Sequence, residues 1–172
     1  MKKIHKKFLT ETQKKMILQE VKLLRLLNHP NIVNFKGFEE DSNFYKIYME
    51  YMEEGSVKSL IQQFGPLKET VVVNYLKQIL EGLEFIHFKN LIHRDIKGDN
   101  ILVKSNGQVK IGDIGSIKDN KKSDAKSFVG TGCWMAPEII KGKHYDQSAD
   151  IWSLGCTVFE MLTGKPPFEI QN

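Results

Sequence analysis

One short polar segment gathers residue types that together could move a phosphoryl group. In His93-Arg94-Asp95-Ile96-Lys97-Gly98-Asp99-Asn100 an aspartate is followed two residues on by a lysine and five residues on by an asparagine. Asp95 can orient and deprotonate a hydroxyl. Lys97 carries a mobile ammonium that can neutralise a phosphate oxygen. Asn100 offers a hard carbonyl oxygen, and Asp113, thirteen residues further on in Gly112-Asp113-Ile114-Gly115, offers a carboxylate. Hard oxygens of this kind suit Mg²⁺ shared with nucleotide phosphates. Phosphoryl transfer to a hydroxyl is mainly positioning plus charge stabilisation, and these groups supply both.

Elements on either side must hold these groups still. Residues 69–89 form a predicted long helix, with Leu76, Ile79, Leu80, Leu83 and Ile86 on one face. Residues 101–104 and 108–111 form a predicted hairpin around Ser105-Asn106-Gly107. The polar segment thus lies between a helix and a hairpin. Residues 148–163 are apolar almost all round, which predicts a buried helix, and Gly164-Lys165-Pro166-Pro167 stops it. Upstream, residues 2–4 read as a strand end and 11–27 as an amphipathic helix carrying Ile17, Val21, Leu24 and Leu27. Pro30 closes that helix by disfavouring the helical region at the residue before it. Residues 31–38 and 43–51 alternate as two strands around the polar turn 39–42, and 56–63 form a short helix. Residues 114–132 are polar and hold Gly115, Gly130 and Gly132, which predicts a mobile loop. Strands with one helix, followed mostly by helices, predict an α+β fold with a small sheet-bearing lobe on a larger helical one. The junction falls near Glu50–Gly55.

Composition narrows the function classes. A chain of 172 residues can bury a core, and 41% hydrophobic with 27% charged residues excludes disorder. The net charge of +4 is too weak to argue for nucleic acid. The early lysines, among them Lys2, Lys3, Lys6 and Lys7, read as a solvated strand end and helix face. Cys133 and Cys156 have no metal-ligand spacing and read as free thiols of a reducing compartment. No apolar run has the length of a membrane span or the shape of a signal peptide, so the expected location is the cytoplasm.

The motifs also stand in a familiar order. His93-Arg94-Asp95, Asp113-Ile114-Gly115, Gly130-Thr131 with Trp134-Met135-Ala136-Pro137-Glu138, and Asp150-Ile151-Trp152-Ser153-Leu154-Gly155 together resemble the protein kinase domain. Ile114 stands where that family usually has Phe. Lys97 resembles the serine/threonine form of the catalytic loop. Gly55-Ser56-Val57-Lys58-Ser59-Leu60 and Lys126-Ser127-Phe128-Val129-Gly130-Thr131 look most like mitogen-activated protein kinase kinase kinases of the MEKK type. The resemblance implies Mg-ATP as phosphoryl donor and protein hydroxyls as acceptors, with mitogen-activated protein kinase kinases as substrates. An upstream activating kinase or scaffold is implied as a further partner. It implies Lys2 as the phosphate lysine paired with Glu20, Met49 as gatekeeper, Glu50 and Met52 as backbone partners of adenine, and Leu102 as part of the adenine floor. It makes Asp95, Lys97 and Asn100 catalytic and assigns the metal to Asn100 and Asp113. Ser127 is the leading regulatory phosphorylation position. Ser123 and Thr131 are weaker ones, Thr131 being expected to face Asp95.

There is no Gly-x-Gly-x-x-Gly in the chain, and the first glycine is Gly37. The expectation is therefore a partial kinase domain, with 1–52 a remnant of the small lobe and hinge, and 53–172 the first part of the helical lobe. An exposed sheet edge and uncovered apolar surface on 148–163 follow from it. The alternative is a catalytically inactive kinase fragment or pseudokinase that binds partner kinases or scaffolds.

Overall fold

The computed structural model describes residues 1–119 and 130–168, so Ser123 and Ser127 lie outside the described residues. The chain opens with strand β1 (Lys2–His5) and a 3-10 turn at Lys6–Phe8, followed by helix α1 (Glu11–Leu26). Thr10 starts α1 with a capping box: its hydroxyl accepts from the Gln13 N–H, and the Gln13 side chain accepts from the Thr10 N–H. Strands β2 (Phe35–Glu40) and β3 (Phe44–Met49) form an antiparallel hairpin. Asp41 pins its tip by accepting from the Asn43 and Phe44 N–H groups and pairing with Lys46 at 2.8 Å. The sheet is three-stranded in the order β1-β3-β2, with Lys2 and Phe38 both opposite Ile47.

The strand expected over 31–38 starts later, at Phe35. The reason lies in the helical lobe. Ile32 bridges Ile111, and the Val33 N–H donates to the Ile111 carbonyl at 2.9 Å, so this stretch pairs across the lobes before β2 begins. Gly82 allows the approach: a Cβ there would meet the Asn31 carbonyl oxygen at 2.9 Å.

The helical lobe holds α2 (Val57–Phe64), α3 (Glu69–Phe88), α4 (Pro137–Ile140) and α5 (Ser148–Thr163). Between α3 and α4 run β4 (Leu91–Ile92), the hairpin β5 (Ile101–Val103) with β6 (Val109–Ile111), and β7 (Lys118–Asp119). The expected loop over 114–132 is thus partly built. Residues Ile114–Ser116 form a 3-10 turn, and β7 pairs antiparallel with β4.

Helix α5 is buried on one face only. Asp150, Ser153, Leu154, Thr157, Glu160 and Met161 are buried, while Ile151, Trp152, Phe159 and Leu162 are exposed. Several of the inward positions are polar, so periodicity alone misjudges this helix. Their groups are satisfied where they sit: the Ser153 hydroxyl donates to the Trp134 carbonyl at 2.8 Å and that of Thr157 to the Ser153 carbonyl at 2.8 Å. Leu80, expected inside on α3, is also exposed. One core runs from Ile17, Val21 and Ile47 through Ile79, Leu83 and Ile111 to Leu154 and Met161. Each such side chain contributes roughly 1.5–3 kcal/mol when fully buried. A smaller cluster of Ile92, Met135, Ile139 and Tyr145 lies under the segment that carries Thr131. Among the described residues no helix is long and apolar enough to cross a membrane.

Candidate active site

The segment after β4 is held from below by one carboxylate. Asp150 is fully buried on α5 and accepts the His93 N–H at 2.9 Å and the Arg94 N–H at 2.8 Å. His87 Nε2 lies 2.8 Å from the same carboxylate. The buried His93 ring faces the Gly112 carbonyl with Nε2 at 3.0 Å. That acceptor requires the ring proton on Nε2. Arg94 adopts a left-handed backbone, φ 70°, which non-glycine residues rarely take. Its Nε donates to the Ser116 carbonyl at 2.6 Å, tying the segment to the turn after Asp113.

Asp95 stands at the centre of a closed network. Lys97 Nζ lies 2.9 Å from Asp95 Oδ2, and the Thr131 hydroxyl donates to Oδ1 at 2.8 Å. Lys97 also donates to the Thr131 hydroxyl at 2.6 Å. Asn100 Nδ2 donates to the Asp95 carbonyl at 2.7 Å and to Oδ2 at 2.8 Å. Burial pushes the Asp95 carboxyl up, but the hydrogen bonds from Lys97, Thr131 and Asn100 outweigh it and hold the carboxyl below its ordinary 3.8. Asp95 is therefore ionised and able to accept a hydroxyl proton in a hydrogen bond.

A second cluster forms where the lobes face each other. Lys2 Nζ on β1 contacts Glu20 Oε1 on α1 at 2.7 Å and Asp113 Oδ1 at 3.9 Å. Asp113 has a left-handed backbone, φ 45°, and its side chain is half exposed. Ile114 beside it is buried in the main core. The branched aliphatic side chain thus fills apolar space in the usual Phe position. Gly115 packs against the Glu20 carboxylate, where a Cβ would sit 3.3 Å from the carboxyl carbon and both oxygens. The Asp113-Ile114-Gly115 stretch is docked onto α1.

The connection between the lobes follows β3. Met49 and Glu50 are partly buried and Met52 is buried. The Met52 N–H makes no hydrogen bond to the described residues. Leu102, partly buried on β5, packs beside Gly112, where a Cβ would meet its Cδ1 at 3.2 Å. The structure thus brings Asp95, Lys97, Asn100 and Thr131 into one network and Lys2, Glu20 and Asp113 into another.

The whole chain, residues 1–172, matches the family model for the protein kinase domain. It belongs to the protein kinase family. It is 47% identical over 157 residues to mitogen-activated protein kinase kinase kinase 3 of Arabidopsis thaliana, a match covering 89% of this chain and 24% of that protein. It is 46% identical to mitogen-activated protein kinase kinase kinase A of Dictyostelium discoideum, over 90% of this chain and 17% of that protein. The mouse mitogen-activated protein kinase kinase kinase 19 is 44% identical over 94% of this chain and 13% of its own length. The chain therefore spans at most about a quarter of the length of these relatives.

Several groups that build this kinase site carry no spacing signal in the sequence. His87 is one. Glu160 is another: its Oε2 accepts the Gly98 N–H and the Trp134 Nε1–H, each at 3.1 Å, and joins the Asp95 segment to the Thr131 segment. Burial pushes the Glu160 carboxyl above its ordinary value. An acid in an otherwise apolar helix was the available hint. Lys104 and Lys110, which hold Glu50, are further cases, and Lys110 between two buried apolar residues of β6 was the hint there. The donor set also fits Mg²⁺. Asn100 turns both Nδ2 bonds toward Asp95, and its Oδ1 takes no hydrogen bond from the described residues. The Asp113 carboxylate is half exposed. Among the described residues no three His, Cys, Asp or Glu side chains gather as a metal cage. Two hard oxygens without a full cage suit a cation that keeps waters and phosphate oxygens as its other ligands.

Proposed function

We propose that this kinase domain transfers the γ-phosphate of Mg-ATP to serine or threonine hydroxyls of protein substrates. The observation that carries the reading is the simultaneous closure of the Asp95–Lys97–Asn100–Thr131 network and the Lys2–Glu20 pair at 2.7 Å. The acceptor hydroxyl takes the place beside Asp95 now held by the Thr131 hydroxyl; Asp95 accepts its proton as its oxygen bonds to the γ-phosphorus, and ADP leaves with the electrons of the broken P–O bond. Lys97 neutralises charge on the transferring group. Lys2, oriented by Glu20, holds nucleotide phosphates, and Asn100 with Asp113 holds Mg²⁺, which supplies charge neutralisation at those phosphates. Glu50 and Met52 present backbone groups to adenine above Leu102. Residues 1–52 act as the small lobe and hinge and 53–172 as the helical lobe.

The names of the relatives support a place in a mitogen-activated protein kinase cascade, with mitogen-activated protein kinase kinases as substrates. An upstream kinase or scaffold would act on Ser127. At Thr131 the bonds to Asp95 and Lys97 favour orientation of the acceptor over regulatory phosphorylation. The test is transfer of labelled phosphate from Mg-ATP to a mitogen-activated protein kinase kinase, by the chain and by Asp95→Asn. Transfer lost in the variant supports the proposal. No transfer by folded wild-type chain overturns it for this chain.

A further inference from the structure

We propose that the Glu50 carboxylate is a positioning group: it fixes the angle between the lobes and thereby sets the affinity for nucleotide. The proposal rests on the kinase reading above but uses the Glu50 side chain, not the backbone groups to which that reading gives a role. Three donors from two segments meet on this one carboxylate. From the lead into β2, the Asn34 N–H donates to Glu50 Oε1 at 2.6 Å, and the Glu50 N–H returns a bond to the Asn34 carbonyl at 2.9 Å. From the β5–β6 hairpin of the helical lobe, Lys110 Nζ contacts Oε1 at 2.6 Å and Lys104 Nζ contacts Oε2 at 2.9 Å. The Glu50 and Lys110 side chains are 9% and 8% exposed.

A charge pair this far from water depends on both partners staying in contact. Rotation of the lobes about the connection would separate Glu50 from Lys110 or Asn34 and leave charge unpaired in a desolvated place, which is strongly unfavourable. The carboxylate therefore holds the connection at one angle. Glu50 is two residues from the Met52 N–H, Lys110 lies opposite Leu102 on the β5–β6 hairpin, and Lys104 follows β5 directly. The same ion pairs fix the two sides of the proposed adenine site relative to each other. Preorganisation of this kind reaches a ligand as affinity, because the free protein no longer samples geometries that cannot bind.

The test uses the full chain as wild type, Glu50→Gln and Lys104→Ala. Amide hydrogen exchange is followed at Glu50, whose N–H is bonded to Asn34, and at Glu54, whose N–H is bonded to the Val103 carbonyl at 3.2 Å. Both amides are expected to exchange on the order of tenfold faster in either variant, while α3 and α5 amides keep wild-type rates. The KM for Mg-ATP is expected to rise, roughly tenfold in Glu50→Gln and less in Lys104→Ala, with the loss in Lys104→Ala falling on KM and not on kcat. Lys104 is partly exposed, so its removal decides the matter if Glu50→Gln does not fold. Wild-type exchange rates at Glu50 and Glu54 in Lys104→Ala overturn the proposal. So does acceleration spread equally over α3 and α5, which marks plain loss of stability. A wild-type chain without phosphate transfer overturns the kinase reading separately, and exchange still decides whether the carboxylate holds the connection.

Discussion

Replacing Asp150 by alanine tests whether the Asp95 segment is held from within the helical lobe. The carboxylate is fully buried and accepts two backbone N–H groups, those of His93 and Arg94. Alanine leaves both donors without that partner. An orphaned buried donor costs about 1–3 kcal/mol, so two cost about 4 kcal/mol. In a domain of this size each kcal/mol lowers Tm by about 2–4 °C, which gives a fall of about 8–16 °C. Asp150→Asn keeps one acceptor oxygen but turns an amide NH₂ toward the other donors, and its fall is expected to be about half as large. Thermal unfolding followed by circular dichroism reads both variants. Phosphate transfer is expected to drop more than the folded fraction does, because Arg94, at φ 70°, loses the bond that holds its left-handed backbone beside Asp95. An Asp150→Ala protein that melts within about 3 °C of wild type would refute the reasoning, since the two N–H groups would then have found other partners.

Glu20→Gln breaks the pair with Lys2, which is 39% exposed, so the cost in stability is expected to stay under about 1 kcal/mol, while phosphate transfer falls on the order of a hundredfold. A large drop in Tm with transfer intact contradicts that split. Glu160 has a folded pKa raised above 4.5, so its contribution is present below 4.5 and is lost as pH rises through the folded value. Glu160→Gln keeps an oxygen for the Gly98 and Trp134 donors, and is expected to match wild type near pH 4 and to melt at a higher temperature than wild type at neutral pH. A variant less stable at both pH values would sink this expectation. Asp41 is exposed, yet Lys46 and the Asn43 and Phe44 N–H groups lower its pKa to about 2. Its support of the β2–β3 turn is complete above its ordinary 3.8 and lost as pH falls through about 2, and a carboxyl titration by NMR near 3.8 would show that the turn is not capped.

Spacing along the chain sufficed to place Asp95, Lys97 and Asn100 next to one another. A short loop keeps near neighbours together, and the structure closes them around one carboxylate. Helices α1 and α3 were legible too, because apolar periodicity is a local signal. The start of β2 was not, because Ile32 and Val33 find their partner at Ile111 in the other lobe. Nor was the one-sided burial of α5, whose inner face includes Asp150, Ser153, Thr157 and Glu160.

The sequence by itself determined which chemical groups are present, their order, and the family they belong to. Only the tertiary structure decided what holds them. Asp150 meets His93 across 57 residues, and Lys110 meets Glu50 across 60. A carboxylate or ammonium looks the same in the chain whether it faces water or a partner brought to it by folding. Burial and pairing depend on segments remote in sequence, and those distances are set when the two lobes close on a common core.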